Sequence, residues 1–128
     1  MKDYVKKVKN HWNSVSDSDW YMSLRTNEQI LKLQENPAFA FHPAVFELIK
    51  KYMGEVSGKH ILLPSSGDNH AAFAFAIMGA KVTSADISER QLENAKTISD
   101  RIGLDMEFVC DNTMELEHIK DNVYDLVY

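Results

Sequence analysis

One cysteine, Cys110, stands in 128 residues, so no disulfide can close within the chain and a reducing compartment is the natural setting. No apolar run approaches the ~18 residues that a membrane-spanning helix needs. The opening MKDYVKKVKN also lacks the apolar centre of a signal peptide, so a cytoplasmic protein without membrane contact is expected. Positive charge is short: 14 Lys and Arg face 19 Asp and Glu, for a net charge of -5. That balance argues against a nucleic-acid binder. The four lysines between Lys2 and Lys9 are a local exception, read as a solvated helix face. The five histidines show no H-E-x-x-H or comparable spacing, so no metal site is expected. Glycine is scarce as well, five in all, which limits the nucleotide-binding loops the chain can build.

What remains is an ordinary globular composition, 45% hydrophobic and 26% charged, of a size for one modest domain. Residues 1–56 read as an N-terminal helical cap. Tyr4, Val8, Trp12 and Val15 recur at helical spacing with the lysines outward, and the SDSD of residues 16–19 supplies capping residues for the next helix. A helix is expected over 27–35, stopped by Pro37. Another begins at Pro43, with Val45, Phe46, Leu48, Ile49, Tyr52 and Met53 as a broad apolar face and Gly54 as its stop.

Residues 57–128 alternate between strand and helix patterns. Strands are expected at 60–63, 81–85, 106–110 and 123–128. The helix over 69–78 is too apolar all round to lie on a surface. SERQ at 88–91 matches a capping box in which Ser88 and Gln91 satisfy each other's orphan donors. Leu92, Ala95, Ile98 and Ile102 then form one stripe, ended by Gly103. The pattern predicts an α/β, Rossmann-like parallel sheet of order 3-2-1-4 with helices on both faces. The sheet stops after strand 4, and an exposed strand-4 edge would invite self-association.

Ligands in such sheets sit beyond the carboxyl ends of the strands. There the stretch LLPSSGDNHAAFAFAIMGAKVTSAD places a loop, Ser65 to Asn69, and an acid, Asp86, 19 residues beyond Gly67. Gly67 would let backbone approach a ligand closely, and Asp86 could accept hydrogen bonds from vicinal ribose hydroxyls. A dinucleotide site wants G-x-G-x-x-G, but the corresponding positions are Ser65, Gly67 and His70, and Asp68 would oppose a pyrophosphate. No P-loop pattern occurs. S-adenosylmethionine, with a ribose, a cationic sulfonium and no phosphate, fits these charges better.

The segment ILLPSSGDNHAAFAFAIMGAKVTSADISERQLENAK resembles motif I and its continuation in class I S-adenosylmethionine-dependent methyltransferases. FVCDNTMEL is similar to that family's third strand and adjoining acid, and NVYDLVY to its fourth strand. The resemblance covers residues ~60–128, the first half of the family's sheet. It implies that Ser65, Ser66, Gly67, Asp68 and Asn69 surround the methionine moiety of S-adenosylmethionine. It also implies that Asp86 binds the ribose, Ile87 packs on the adenine, Asp111 accepts from the adenine amino group and Asn112 adds a backbone contact. The sequence departs from the family at Leu63, where an acid is usual, and at Ser65 and Asn69, where glycines are usual. Asn69 tolerates left-handed backbone, and Asp68 can substitute for the acid from the loop.

Alternatives stand beside these roles. Asp86 could cap the turn before Ser88, and Asp111 could be an ordinary turn residue. His70 is read as a packing residue and Cys110 as a buried strand residue, not a nucleophile. Trp12, Trp20, Tyr21, Arg25, Phe41 and His42 are costly residues for an N-terminal segment. Tyr21 and Arg25 are the favoured lid residues over a substrate pocket, with plain packing as the other reading. No catalytic base is identified. The expected function is S-adenosylmethionine-dependent methyl transfer to an unidentified acceptor. The alternative is a truncated or degenerate domain that binds cofactor or a protein partner without catalysis.

Overall fold

A computed structural model describes residues 2–128 of the chain. The N-terminal part is helical: α1 (Asp3–Val15), α2 (Asp19–Leu24), α3 (Asn27–Glu35), a 3-10 turn (Pro37–Ala40) and α4 (Pro43–Met53). Alternation follows with β1 (His60–Leu63), α5 (His70–Ile77), β2 (Lys81–Asp86), α6 (Glu89–Ile102), β3 (Met106–Cys110) and β4 (Leu126–Val127). The strands form one parallel sheet in the expected order β3-β2-β1-β4. Local chemistry accounts for the helix ends. Thr26 accepts the Gln29 N–H, His42 Nδ1 accepts the Ala44 N–H ahead of Pro43, and Gly103 closes α6 in the left-handed conformation.

The register explains the core. Ile61 sits beside Val82 and Leu63 beside Ser84, so these four share one sheet face. Against it α5 brings Ala71, Ala72, Ala74 and Phe75, all buried, and the alanines let the helix lie close. Phe73 points the other way, into a second cluster with Ala95 and Ile98 of α6 and Ile30 and Leu33 of α3. Helix α5 is therefore enclosed between the sheet and α3, which is why its sequence is apolar all round. Phe41, Phe75 and Tyr128 meet with ring centroids 5.0–5.7 Å apart and tie the end of the cap to β4.

Several expectations change. Helices do not cover both faces: right-handed β1-α5-β2 and β2-α6-β3 crossovers run in one direction and place α5 and α6 on the same side. Between β3 and β4, residues 111–125 form turns and no helix. The fourth strand is two residues long instead of six. Asn122 adopts φ 57°, and Asp125 meets His60 twice at 2.8 Å, its N–H on the His60 carbonyl and its carboxylate on the His60 N–H, just ahead of the paired residues Leu126 and Val127. Cys110 is exposed, because β3 is an edge strand and Cys110 lies at its tip. In α1 the buried residue is Val5, while Tyr4, Val8 and Trp12 remain exposed. Lys9 is not a free solvated lysine but pairs with Glu89. The α4 face is narrower than its sequence suggests, with Ile49 buried and Leu48 and Tyr52 exposed. Phe41 belongs to the main core and His42 caps α4, so neither is a lid residue.

Phe75→Ala should lower stability by ~3–5 kcal/mol in urea denaturation, because its ring is fully buried among Phe41 and Tyr128. Tyr52→Ala, at a side chain 74% exposed, should change stability by less than about 0.5 kcal/mol.

Candidate functional site

The carboxyl ends of β1, β2 and β3 gather the residues singled out from sequence. After β1 the chain turns through Ser65, which adopts φ 52° without being glycine, and its hydroxyl bonds that of Thr113. Gly67 also has positive φ, 51°. Its missing side chain makes room for protein and not for a ligand: a Cβ there would stand 2.9 Å from Gln91 Cβ and 3.2 Å from Asp86 Oδ2. The buried Ser84 hydroxyl donates to the Gly67 carbonyl at 2.9 Å and pins the loop to β2. Asn69 is not left-handed as its replacement of a glycine suggested; at φ -56° it is the N-cap of α5, its side chain accepting from Ala71 N–H at 2.9 Å. Ser66 Oγ is buried without a hydrogen-bond partner.

Asp86 serves both readings considered for it. Its Oδ1 accepts the Ser88 N–H at 2.8 Å, which caps the turn, while the residue also lines a cavity. The reciprocal capping box is thus half formed. Ser88 Oγ accepts from Gln91 N–H, but Asp86 takes the Ser88 N–H that a full box would give to Gln91. Asp86 joins no ion pair among the described residues. Burial lifts its carboxyl above the ordinary aspartate range, the Ser88 N–H opposes that rise, and the Asp68 charge adds to it.

Arg25 and Gln91 connect the cap to this loop. Arg25 Nε donates to Asp68 Oδ2, with both side chains only 9% exposed. Its Nη2 donates to Gln91 Oε1 at 3.2 Å and reaches Ser16 Oγ at 3.5 Å. Tyr21 lies beneath the guanidinium, 5.6 Å from ring centroid to Cζ, and burial, then Asp68 and Asp86, raise its phenol above the ordinary tyrosine range. Asp68 is therefore bound to Arg25 and does not stand free in place of the acid missing at Leu63. His70 Nε2 meets the Leu24 carbonyl at 2.8 Å, a packing contact as expected.

Asp111 takes the turn reading. Its oxygens accept from Asn112 N–H and His118 N–H, both at 2.8 Å, and it is buried. Burial pushes the carboxyl up, but the His118 backbone and side chain, with the Asn112 N–H, hold it below the usual range. The Asn112 N–H is taken by Asp111, although Asn112 itself lines the cavity. Cys110, though exposed, is kept a thiol: partial burial raises it more than Lys9 lowers it.

These elements enclose a cavity of about 500 Å³, within the range for small-molecule sites. Ser65, Ser66, Asp68, Asp86, Ile87, Asn112 and Tyr21 all line it; Gly67, Asn69, Arg25 and Asp111 do not. Sequence reasoning missed Val8, Trp12, Gln91, Thr113 and Met114 in its wall. In the sequence Trp12 and Val8 belong to a helical stripe and Gln91 to a capping box, but their destination depends on α1 lying over the start of α6. Asn13 makes that contact, accepting from the Ser88 hydroxyl at 2.6 Å and the Arg90 N–H at 3.3 Å. Among the described residues no group of three or more His, Cys, Asp or Glu is placed to hold a metal. No helix among them is long and apolar enough to cross a membrane.

Arg25→Met should destabilise by about 3 kcal/mol, since it leaves the nearly buried Asp68 charge unpaired, whereas Asp68→Leu should cost less, because Asp17 remains 3.8 Å from Arg25 Nη1. The double variant should lose clearly less than the sum, as measured by a urea-denaturation double-mutant cycle.

Comparison with known proteins places this geometry. No curated protein sequence matches the chain. Among solved structures it resembles the magnesium protoporphyrin IX methyltransferase ChlM of Synechocystis PCC 6803, solved with bound SAM. The TM-score is 0.68 at 19% identity over 99% of this chain and 61% of that one. TehB from Haemophilus influenzae follows with a TM-score of 0.57 at 18% identity, over 74% of this chain and 31% of that one. The [4+2]-cyclase SpnF gives 0.55 at 23% identity, over 66% and 32% respectively. These likenesses establish the Rossmann-like methyltransferase fold, and the chain spans about three fifths or less of each relative's length. A family model for a methyltransferase domain matches residues 63–128, from the last residue of β1 through β4 and just over half of the sequence, and the chain belongs to that methyltransferase-domain family.

Proposed function

We propose that the cavity binds S-adenosylmethionine and that the protein transfers its methyl group to an acceptor. The observation that carries this reading is Asp86, a half-buried carboxylate that lines the cavity beyond the strand ends and joins no ion pair among the described residues. Family membership and the SAM bound in the ChlM structure support the same choice. A cytoplasmic setting belongs to this reading, supported by the lone, exposed Cys110.

When bound, this cofactor supplies a methyl group activated by a sulfonium. The residues then have separate tasks. Asp86 accepts hydrogen bonds from the ribose hydroxyls, its Oδ1 held in place by the Ser88 N–H. Ile87 packs on the adenine, and Asn112 adds polar contact beside it. Ser65 and Ser66 border the methionine moiety. Arg25 holds Asp68 and thereby the loop, while Tyr21 covers the cavity and limits water. Positioning an acceptor in line with the methyl group supplies much of the catalysis that such a site needs. A second reading, a degenerate domain without catalysis, is favoured by Leu63 and by the engagement of Asp68 with Arg25, which leave the loop without a free acid. SpnF, described as a cyclase, supports the general point that one fold hosts different chemistries.

Calorimetric titration with S-adenosylhomocysteine tests the site. Asp86→Ala should weaken binding by ~1–3 kcal/mol, and no binding by folded wild type would overturn the reading. Turnover assays with candidate acceptors separate enzyme from binding domain. The pH dependence has a definite sign. Ribose needs the ionised carboxylate, so affinity should fall as pH drops through the raised Asp86 pKa, above the ~3.9 of an ordinary aspartate. For folding the effect is opposite. The raised carboxyl favours the folded state when protonated, and that contribution disappears as pH rises from the ordinary to the raised value.

A further inference from the structure

If the cavity holds the cofactor as proposed, the remaining wall describes the acceptor. Ser65, Ser66, Asp68, Asp86, Ile87 and Asn112 are assigned to cofactor or loop. Gln91 and Thr113 are polar but already engaged, Gln91 by Arg25 and Thr113 by Ser65. What is left is Val8, Trp12, Tyr21 and Met114, an apolar and aromatic wall. Trp12, Val8 and Met114 are 40%, 45% and 82% exposed, so apolar surface stands open at this cavity.

The charges narrow the class further. Among the described residues no Lys, Arg or His lines the cavity, whereas Asp68 and Asp86 do. Arg25 is engaged with Asp68 and Gln91 and so neutralises one of these acids, and Lys9 pairs with Glu89. A phosphate or carboxylate on the acceptor would find no unpaired cation and would meet the unpaired carboxylate of Asp86. We infer that the acceptor site is formed by Val8, Trp12, Tyr21 and Met114 and takes an uncharged, flat, apolar molecule, with anionic compounds excluded. This inference rests on the cofactor reading and names the substrate class of the same site.

Two probes with one ring system test it: neutral N-phenylnaphthylamine and anionic anilinonaphthalenesulfonate, titrated by fluorescence into protein saturated with S-adenosylhomocysteine. The neutral probe should bind, and the sulfonate should bind about tenfold or more weakly. Trp12→Ala should weaken the neutral probe by about tenfold while changing S-adenosylhomocysteine affinity by less than about twofold. Met114→Ser, at an exposed position that leaves folding intact, should also weaken the neutral probe. Equal or tighter sulfonate binding overturns the inference. So does a large loss of S-adenosylhomocysteine affinity in Trp12→Ala, which would give that wall to the cofactor. Cofactor-product binding without neutral-probe binding overturns this inference alone, whereas failure of the folded wild type to bind S-adenosylhomocysteine overturns both.

Discussion

The arrangement of the site depends on the ion pair between Arg25 and Asp68. Arg25 closes α2, Asp68 lies in the loop after β1, and both side chains are almost out of water. Asp68 has no other cation paired with it among the described residues, so Arg25 fixes its position, while Arg25 keeps Asp17 as a second partner at 3.8 Å. Because the same guanidinium also bonds Gln91 and covers Tyr21, it joins three separate segments: the cap, the loop and the start of α6. Around it, Lys9–Glu89, Arg90–Asp17 and Asn94 with Ser16 and Asp17 hold the α1–α2 turn against α6 through polar contacts. The cap is thus fastened over the cavity mainly by directed polar bonds, with Val5 the buried apolar residue of α1.

The loop after β1 shows how a nucleotide-type turn can be built with one glycine. Ser65 accepts positive φ and is held there by Thr113. Gly67 is retained because Gln91 and Asp86 occupy the space of its side chain. Asn69 replaces glycine by capping α5 through its side chain. Strain at one position is offset by hydrogen bonds at its neighbours, and the loop keeps its path.

The fate of the acids follows from their neighbours. Asp68, Asp86 and Asp111 all stand at carboxyl ends of strands, where an acid in this fold invites a functional reading. Asp68 is claimed by Arg25 and Asp111 by the amides of residues 112 and 118. Among these three acids Asp86 alone combines a place in the cavity wall with no cation paired to it among the described residues, which is why the proposed ribose contact is assigned to it.

Hydrophobic period and turn chemistry were enough to read β1, α3, α5, α6 and β3 nearly residue for residue, together with the strand order, because these depend on local spacing and on crossover handedness. The same stripe reading failed for Val8 and Trp12: apolar residues at helical spacing indicate a face but not what it faces, and here it faces a cavity. Residues 123–128 have the pattern of a strand, yet only Leu126 and Val127 pair regularly with β1, after Asn122 has turned through positive φ. Arg25 and Asp68, 43 residues apart, carry no mark of their partnership in sequence. The sequence by itself determined the fold class, the order of elements and the segment that lines the candidate site. Only the tertiary structure decided which charges are neutralised, which glycine makes room for protein and which aromatic residues wall the cavity, because these are contacts between segments distant in sequence.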